Sequence, residues 1–132
     1  MSFGEKHLER GPVHVAPLVD LVEEYALHGW LTRTGALSRG APVRTVQAGG
    51  SWRSAERAFD LPRSIQRRLF DALDRVGARL HSLGYFGPFG IDAFQWEDAA
   101  GHRHIHAPSE VNARYTMAYA VGAPELIEAD RR

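Results

Sequence analysis

The feature that most constrains the fold of this 132-residue chain is a long amphipathic segment near its middle. Its apolar residues recur at spacings of four, four, three, four and three, which is the period of one helix face. They are Ile65, Leu69, Leu73, Val76, Leu80 and Leu83. Pro62 suits a first helical turn, and Gly84 suits the position just after a helix end. The pattern predicts a helix that packs one face on a partner layer.

After the predicted helix, the sequence takes on the pattern of a β-hairpin. Residues 91–96 read as one strand, and 97–101 read as a turn that ends on a glycine. The return strand covers 102–107 and continues over 109–112. Pro108 interrupts this strand, so the face on which the later residues lie is not fixed by the sequence.

Shorter strand patterns precede the helix, at 13–31 and 42–48. The glycine-rich stretch 49–54 lacks the Gly-Lys-Ser/Thr ending of a phosphate loop and is predicted as a mobile loop, with Trp52 as a candidate lid. Residues 114–121 are apolar enough for a short helix. We therefore expect an α+β domain, with an antiparallel sheet of about four to five strands, one long amphipathic helix and a short C-terminal helix.

The composition excludes several functional classes. Sixteen basic and sixteen acidic residues balance, which argues against a general nucleic-acid or membrane-surface binder. The chain has no cysteine, so disulfides and thiolate sites are excluded. No apolar run approaches the about 20 residues that cross a bilayer. We expect a cytoplasmic protein with a loose lead-in over 1–12, one domain over 13–122 and a tail over 123–132 that is frayed from residue 125.

The hairpin carries the residues with the clearest chemistry. Glu110 and Asn112 point to the same face because side chains alternate along a strand, and Asp92 on the partner strand can face them. Two carboxylates and a carboxamide oxygen suit Mg²⁺, and the guanidinium of Arg114 matches phosphate oxygens. The alternative is a solvated strand face on which Asp92 and Arg114 form a surface ion pair.

Two stretches of the sequence resemble a known family. They are GYFGPFGIDAF at 84–94 and SEVNARYTM at 109–117. Together they resemble the end of the ATP-grasp domain, in a superfamily that includes carboxylate–amine ligases and biotin-carboxylase-like enzymes. The conjunction of Gly-x-Asp with Glu-x-Asn-x-Arg is harder to reach by chance than either motif alone.

The resemblance implies roles for the hairpin residues. Asp92, Glu110 and Asn112 would hold Mg²⁺ (or Mn²⁺) between the phosphates of ATP. Arg114 would be the catalytic residue and would contact phosphate or an acyl-phosphate intermediate. The implied activity is that of an ATP-dependent ligase, with a carboxylate and an amine as further partners.

A weaker resemblance covers the upstream strand at 15–29. By analogy Glu24 and His28 would face the nucleotide, although a histidine at a strand edge is more often simply exposed. Family members also have an N-terminal half whose lysines reach ATP, whereas the only lysine here is Lys6. Gly90 stands where many ligases have a basic residue. We expect either a separately encoded N-terminal half or self-association.

Other interpretations remain open at this point. The chain could be a truncated, non-catalytic remnant or binding module, or a small structural protein whose acidic hairpin is only surface. His102, His104 and His106 alternate along the return strand and share a face, so they are a candidate Zn²⁺ site. A solvated strand face is the commoner outcome for such histidines.

Overall fold

The computed structural model of the chain describes residues 20–48 and 51–130, without the side chains of 46–48, 51–53 and 128–130. The predicted lead-in over 1–12 lies outside these residues. None of the helices in the described ranges is both long and apolar enough to span a membrane.

The described residues form an antiparallel sheet with helices, which confirms the predicted α+β class. Five strands follow the order β4-β3-β1-β5-β6, and the short β2 pairs with β1. The sheet therefore has six strands rather than about four to five. The elements are β1 (Asp20–Leu31), β2 (Leu37–Arg39), β3 (Val43–Ala48), β4 (Ser51–Arg57), α1 (Arg63–Ser82), β5 (Gly87–Glu97), β6 (Arg103–Asn112), α2 (Tyr119–Gly122) and α3 (Pro124–Asp130).

The long helix α1 is where the sequence pattern placed it. It ends before Gly84, whose φ of 84° is the left-handed value that favours glycine after a helix. Its apolar stripe, including Leu69 and Leu73, packs on one face of the sheet against Leu27 of β1 and Ile91 of β5. Because β1 and β5 pair along almost their whole length, this layer fixes the central part of the sheet.

The sequence predicts a loop over 49–54, but residues 51–54 form the first half of β4, and residues 49 and 50 lie outside the described residues. The backbone of β4 pairs antiparallel with β3, in the register Val46 to Ser54 and Thr45 to Ala55. Pairing satisfies backbone groups that an isolated β3 would leave without partners at the edge of the sheet. Local sequence carries little information about such an edge strand.

The C-terminal segment also differs from the prediction. Helix begins only at Tyr119 rather than at residue 114, because the segment before it is tied to the sheet through side chains. The Tyr119 hydroxyl donates to the carbonyl of Gly29 at 2.8 Å and holds α2 against β1. In the predicted tail over 123–132, expected to be frayed from residue 125, residues 124–130 form α3, and Arg57 of β4 pairs there with Glu125 at 3.2 Å.

Candidate metal-phosphate site

The pairing of β5 with β6 brings the predicted metal ligands together. Asp92 lies opposite Glu110, and Gly90 lies opposite Asn112. The neighbours of Asp92, such as Ile91, pack towards α1, so the Asp92 side chain lies on the other face of the sheet. The two carboxyl groups and the carboxamide thus share one face, as period two predicted.

The register across Pro108 is shifted, and the structure shows by how much. Phe94 pairs with His106 whereas Asp92 pairs with Glu110. Between these two pairs the chain advances by four positions along β6 and by two along β5. Because the two extra positions on β6 are an even number, side chains before and after the irregularity keep the same alternation of faces. His106 and Glu110 therefore lie on the same face, a point that the sequence left open.

The three histidines of the return strand do not form a metal cage. His106 lies against Phe94 with ring centroids 5.1 Å apart, and His104 stacks on Trp96 at 4.4 Å. His104 Nε2 also lies 2.8 Å from a carboxylate oxygen of Asp98 in the turn. In the part of the chain that the structure describes, no group of three or more His, Cys, Asp or Glu side chains could hold a metal ion.

Hydrogen bonds link the hairpin residues in a short chain. The Asn112 amide nitrogen donates to Asp92 Oδ2 at 3.3 Å, and Arg114 Nη2 donates to Asn112 Oδ1 at 3.4 Å. Arg114 Nη1 also donates to the carbonyl of Tyr115 at 3.2 Å. These bonds orient the carboxamide with its nitrogen towards Asp92 and its oxygen towards Arg114.

The electrostatics of the site centre on Asp92. The pKa of its carboxyl group is raised from 3.8 to about 6, first by burial, then by the hydrogen bond and charge of Glu110 and by the charge of Glu24. The Asn112 amide acts in the opposite direction. The raised pKa of Asp92 therefore reflects its burial first and the neighbouring negative charges second.

These side chains line an open cavity of about 380 Å³. Ligand pockets commonly measure about 300–1,000 Å³, so this volume lies at the lower end of that range. The charged groups on its wall are three carboxyl groups and one guanidinium: Glu24, Asp92, Glu110 and Arg114. Carboxylates therefore outnumber cationic groups in the cavity.

Of the two upstream candidates, Glu24 lines the cavity and His28 does not. His28 is only 1% exposed, so it neither faces a nucleotide nor lies exposed at a strand edge. The physical reason is α2, which covers this part of the face and places the Tyr119 ring 5.1 Å from the imidazole. Sequence patterns along β1 give no sign of this cover.

Sequence reasoning missed other residues of the cavity wall. Thr116, Thr45 and Phe94 contribute to it, and so does Met117, which is 69% exposed. Thr116 could have been found, because it extends the alternation of residues 110, 112 and 114 by one more step. The side chain of Trp52, the candidate lid, lies outside the described residues.

The donor set at the hairpin fits a Mg²⁺ ion bound together with phosphate. Mg²⁺ commonly takes one or two protein carboxylates and completes its octahedron with water and phosphate oxygens. Asp92 and Glu110 supply two carboxylates, and the Asn112 carbonyl oxygen has a second lone pair beyond its bond to Arg114. A cage made only of protein groups is absent from the described residues, and this chemistry does not need one.

Comparison with known proteins identifies the fold. No protein-family model and no curated protein matches the chain. Solved structures do match: N5-carboxyaminoimidazole synthetase from Staphylococcus aureus complexed with ADP has a TM-score of 0.54 at 10% identity, over 79% of this chain and 26% of that one. N5-carboxyaminoimidazole ribonucleotide synthetase from Thermus thermophilus has a TM-score of 0.54 at 19% identity, over 75% and 25%.

A protein assigned to the ATP-grasp superfamily from Archaeoglobus fulgidus has a TM-score of 0.52 at 13% identity, over 76% of this chain and 31% of that one. The chain thus spans about a quarter to a third of the length of these structures. At these identities the likeness is one of fold. The chain has the fold of part of an ATP-grasp protein, as the resemblance of its two hairpin motifs predicted.

Proposed function

We propose that the chain is the Mg²⁺–nucleotide-binding part of an ATP-grasp-type carboxylate–amine ligase. The observation that carries this proposal is the convergence of three carboxyl groups on one cavity, with the pKa of Asp92 raised to about 6. Like charges that the fold holds close together destabilise the folded state unless an opposite charge is bound between them. Such sites are typical of functional centres.

The identity of the ligand follows from the charge balance. A phosphate group by itself would be repelled by Glu24, Asp92 and Glu110, whereas a divalent cation would be attracted by all three. Asp92, Glu110 and Asn112 would hold the ion, and its remaining coordination positions would take water and phosphate oxygens. The ion supplies charge neutralisation, and the protein supplies its position.

Arg114 is the group that we assign to the phosphate or to the reacting acyl phosphate. Its guanidinium has five N–H donors, and the contacts to Asn112 and Tyr115 involve one donor on each terminal nitrogen. It is exposed at the wall of the cavity, so its other donors can reach a ligand. Its proposed role is to stabilise developing charge on transferred oxygens.

Glu24 lies on the wall formed by β1, and we assign it a contact with the bound metal–nucleotide complex. His28 receives no direct contact, because it is buried away from the cavity. The cavity is open, and Met117 at its wall is 69% exposed. We propose that a complementing polypeptide, either a separate chain or a second copy, covers this side and binds the carboxylate and amine substrates.

A second candidate function is nucleotide binding without turnover. The observation that favours it is the charge of the cavity wall, where Arg114 is the one cationic group among the described residues. Phosphoryl transfer generally needs several positive groups around the transferred phosphate. Metal-dependent binding of ADP without ATP consumption, in the presence of candidate substrates and partner chains, would support this alternative.

Calorimetric titration with Mg²⁺–ATP and Mg²⁺–ADP tests the proposed site. We expect binding that requires Mg²⁺ and that weakens at least about tenfold in Glu110→Ala and in Asn112→Ala, since each loses one metal ligand. Glu97→Gln is the matched control, because Glu97 pairs with Arg103 at 3.5 Å and lies outside the cavity. Absence of binding by the wild-type chain would rule out the proposal. So would affinities of the two alanine variants equal to that of the wild type.

A further inference from the structure

His28 is a buried polar side chain that reaches the wall of the cavity through one neighbour. Its Nε2 lies 3.1 Å from Oγ1 of Thr116, and Thr116 lines the cavity. Its other ring nitrogen, Nδ1, is buried and has no hydrogen-bond partner among the described residues. Within the described ranges the imidazole therefore makes a single polar contact, and that contact is with a residue of the site.

Two glycines hold this ring in place. A Cβ atom added to Gly90 would lie 2.7 Å from His28 Cδ2, and one added to Gly122 would lie 3.0 Å from His28 Nδ1. The backbones of β5 and α2 thus approach the ring more closely than any other residue type would allow. A ring packed in this way has little room to turn towards a different partner.

The hydrogen bond fixes which nitrogen carries the proton. Burial lowers the pKa of His28 to about 4, so the ring is neutral at physiological pH and has one N–H group. A proton on Nδ1 would leave a buried N–H without an acceptor, which is the rarest kind of unpaired polar group in proteins. A proton on Nε2 is instead donated to Thr116 Oγ1, and only a lone pair is left unpaired.

The consequence concerns the hydroxyl hydrogen of Thr116. Because Thr116 Oγ1 accepts from His28, its own O–H points away from the ring, and Thr116 is one of the residues that line the cavity. Thr116 also lies two residues beyond Arg114 along the chain. A hydroxyl donor here supplements the guanidinium of Arg114 on a wall that is rich in carboxylates.

We propose that His28 is a positioning residue that fixes the Thr116 hydroxyl as a hydrogen-bond donor into the cavity, where it binds an oxygen atom of the anionic ligand. The identity of that ligand, a nucleotide phosphate held with Mg²⁺, rests on the proposed function. The direction of the hydroxyl does not, because it is a property of the free protein.

The first test is NMR of the free, ¹⁵N-labelled chain at pH 7. Correlations between the ring nitrogens and carbon-bound hydrogens distinguish the two neutral tautomers, and the spectrum of His28→Gln assigns the His28 signals. We expect the Nε2–H form in the wild-type protein and a changed Nε2 signal in Thr116→Val. An Nδ1–H form, a charged ring, or a spectrum unaffected by Thr116→Val would overturn the proposal.

The second test is the affinity for Mg²⁺–ADP. Thr116→Val should weaken binding about tenfold, since it removes a donor to a charged group, whereas Thr116→Ser should bind like the wild type. His28→Leu should lose as much affinity as Thr116→Val. His28→Gln, whose amide can donate in place of Nε2, should lose less affinity. The double variant His28→Leu with Thr116→Val should bind no more weakly than Thr116→Val alone.

Thr34→Val is the matched control, because its hydroxyl contacts Thr32 in a turn outside the cavity. Equal affinity of Thr116→Val and the wild type, or fully additive losses in the double variant, would overturn the proposal. If His28→Leu does not fold, the affinities of the valine and serine variants of Thr116 decide whether its hydroxyl binds the ligand. If the wild-type chain does not bind Mg²⁺–ADP, the proposed function fails, and the tautomer measured by NMR alone decides whether His28 positions Thr116.

Discussion

Replacing Asp92 by asparagine is expected to stabilise the free protein while abolishing its response to Mg²⁺. The wild-type carboxyl group has its pKa raised from 3.8 to about 6, first by burial and then by Glu110. Its contribution to stability is complete below pH 3.8 and is lost as the pH rises through about 6. At neutral pH the ionised side chain therefore destabilises the fold, and a neutral isostere removes this effect.

The magnitude follows from the size of the pKa change. A rise from 3.8 to about 6 corresponds to about 3 kcal/mol of unfolding free energy. Asp92 is only half-buried, and screening by solvent reduces the effect, so we expect a gain of about 1–2 kcal/mol for Asp92→Asn. In a domain of this size, that gain raises Tm by roughly 4–7 °C. Asparagine can still accept from Asn112 and can donate to Glu110.

The assay is urea unfolding without divalent ions, at several pH values between 4 and 7.5. The increase in unfolding free energy of Asp92→Asn over the wild type should be near zero at pH 4, grow through pH 6 and level off by pH 7.5. Asp71→Asn is the control, since it removes an exposed carboxylate from α1 on the other side of the sheet, and its effect should stay within about 0.5 kcal/mol. A variant less stable than the wild type at pH 7.5, or a gain independent of pH, would refute the reasoning.

Three further predictions concern the protonation of Asp92, the packing of Gly90 against His28 and the core residue Leu73. Affinity for Mg²⁺–ADP, corrected for protonation of ADP itself, should rise about tenfold from pH 5 to 7.5 in calorimetry, because the ion displaces the Asp92 proton; a flat profile would contradict this. Gly90→Ala should cost about 1–3 kcal/mol in urea unfolding and shift the NMR signals of His28, because its Cβ would lie 2.7 Å from the ring; unchanged signals would count against it. Leu73→Ala should cost about 2–5 kcal/mol by loss of core packing and leave ADP affinity unchanged in the folded protein.

The parts of the fold that could be predicted from sequence are those with strong local signals. Helix α1 has an apolar stripe over about five turns and a glycine at its end, so its position follows from the helical period alone. Strand β1 has no such signal, because its buried run from Tyr25 to Gly29 includes both faces of the sheet. The cover that buries both faces comes from α1 and α2, which are distant in sequence.

The candidate site divides in the same way. The hairpin pattern predicts that Glu110 and Asn112 share a face and that Asp92 on the partner strand can face them, and the resemblance to ATP-grasp proteins implies that the three hold Mg²⁺. The register that places Asp92 opposite Glu110 depends on an irregularity of β6 at Pro108, whose size no local pattern specifies. Which residues hold a metal ion stays a prediction until binding is measured.

His28 shows most clearly what sequence reasoning lacked. Its burial depends on Gly90 and Gly122, each of which admits the ring because it has no Cβ atom. These glycines lie on elements more than 60 residues away along the chain, so only the tertiary structure shows that they surround one histidine. A residue expected to touch the nucleotide is instead placed behind Thr116, where its influence on a ligand is indirect.

The most direct test of the central claim is a crystal structure of the chain with Mn²⁺ and ADP, measured for the anomalous scattering of manganese. We predict an anomalous peak at coordination distance from carboxylate oxygens of Asp92 and Glu110, with a phosphate of ADP completing the site. Bound ADP with the manganese peak away from both carboxylates, or without any manganese peak, would contradict it.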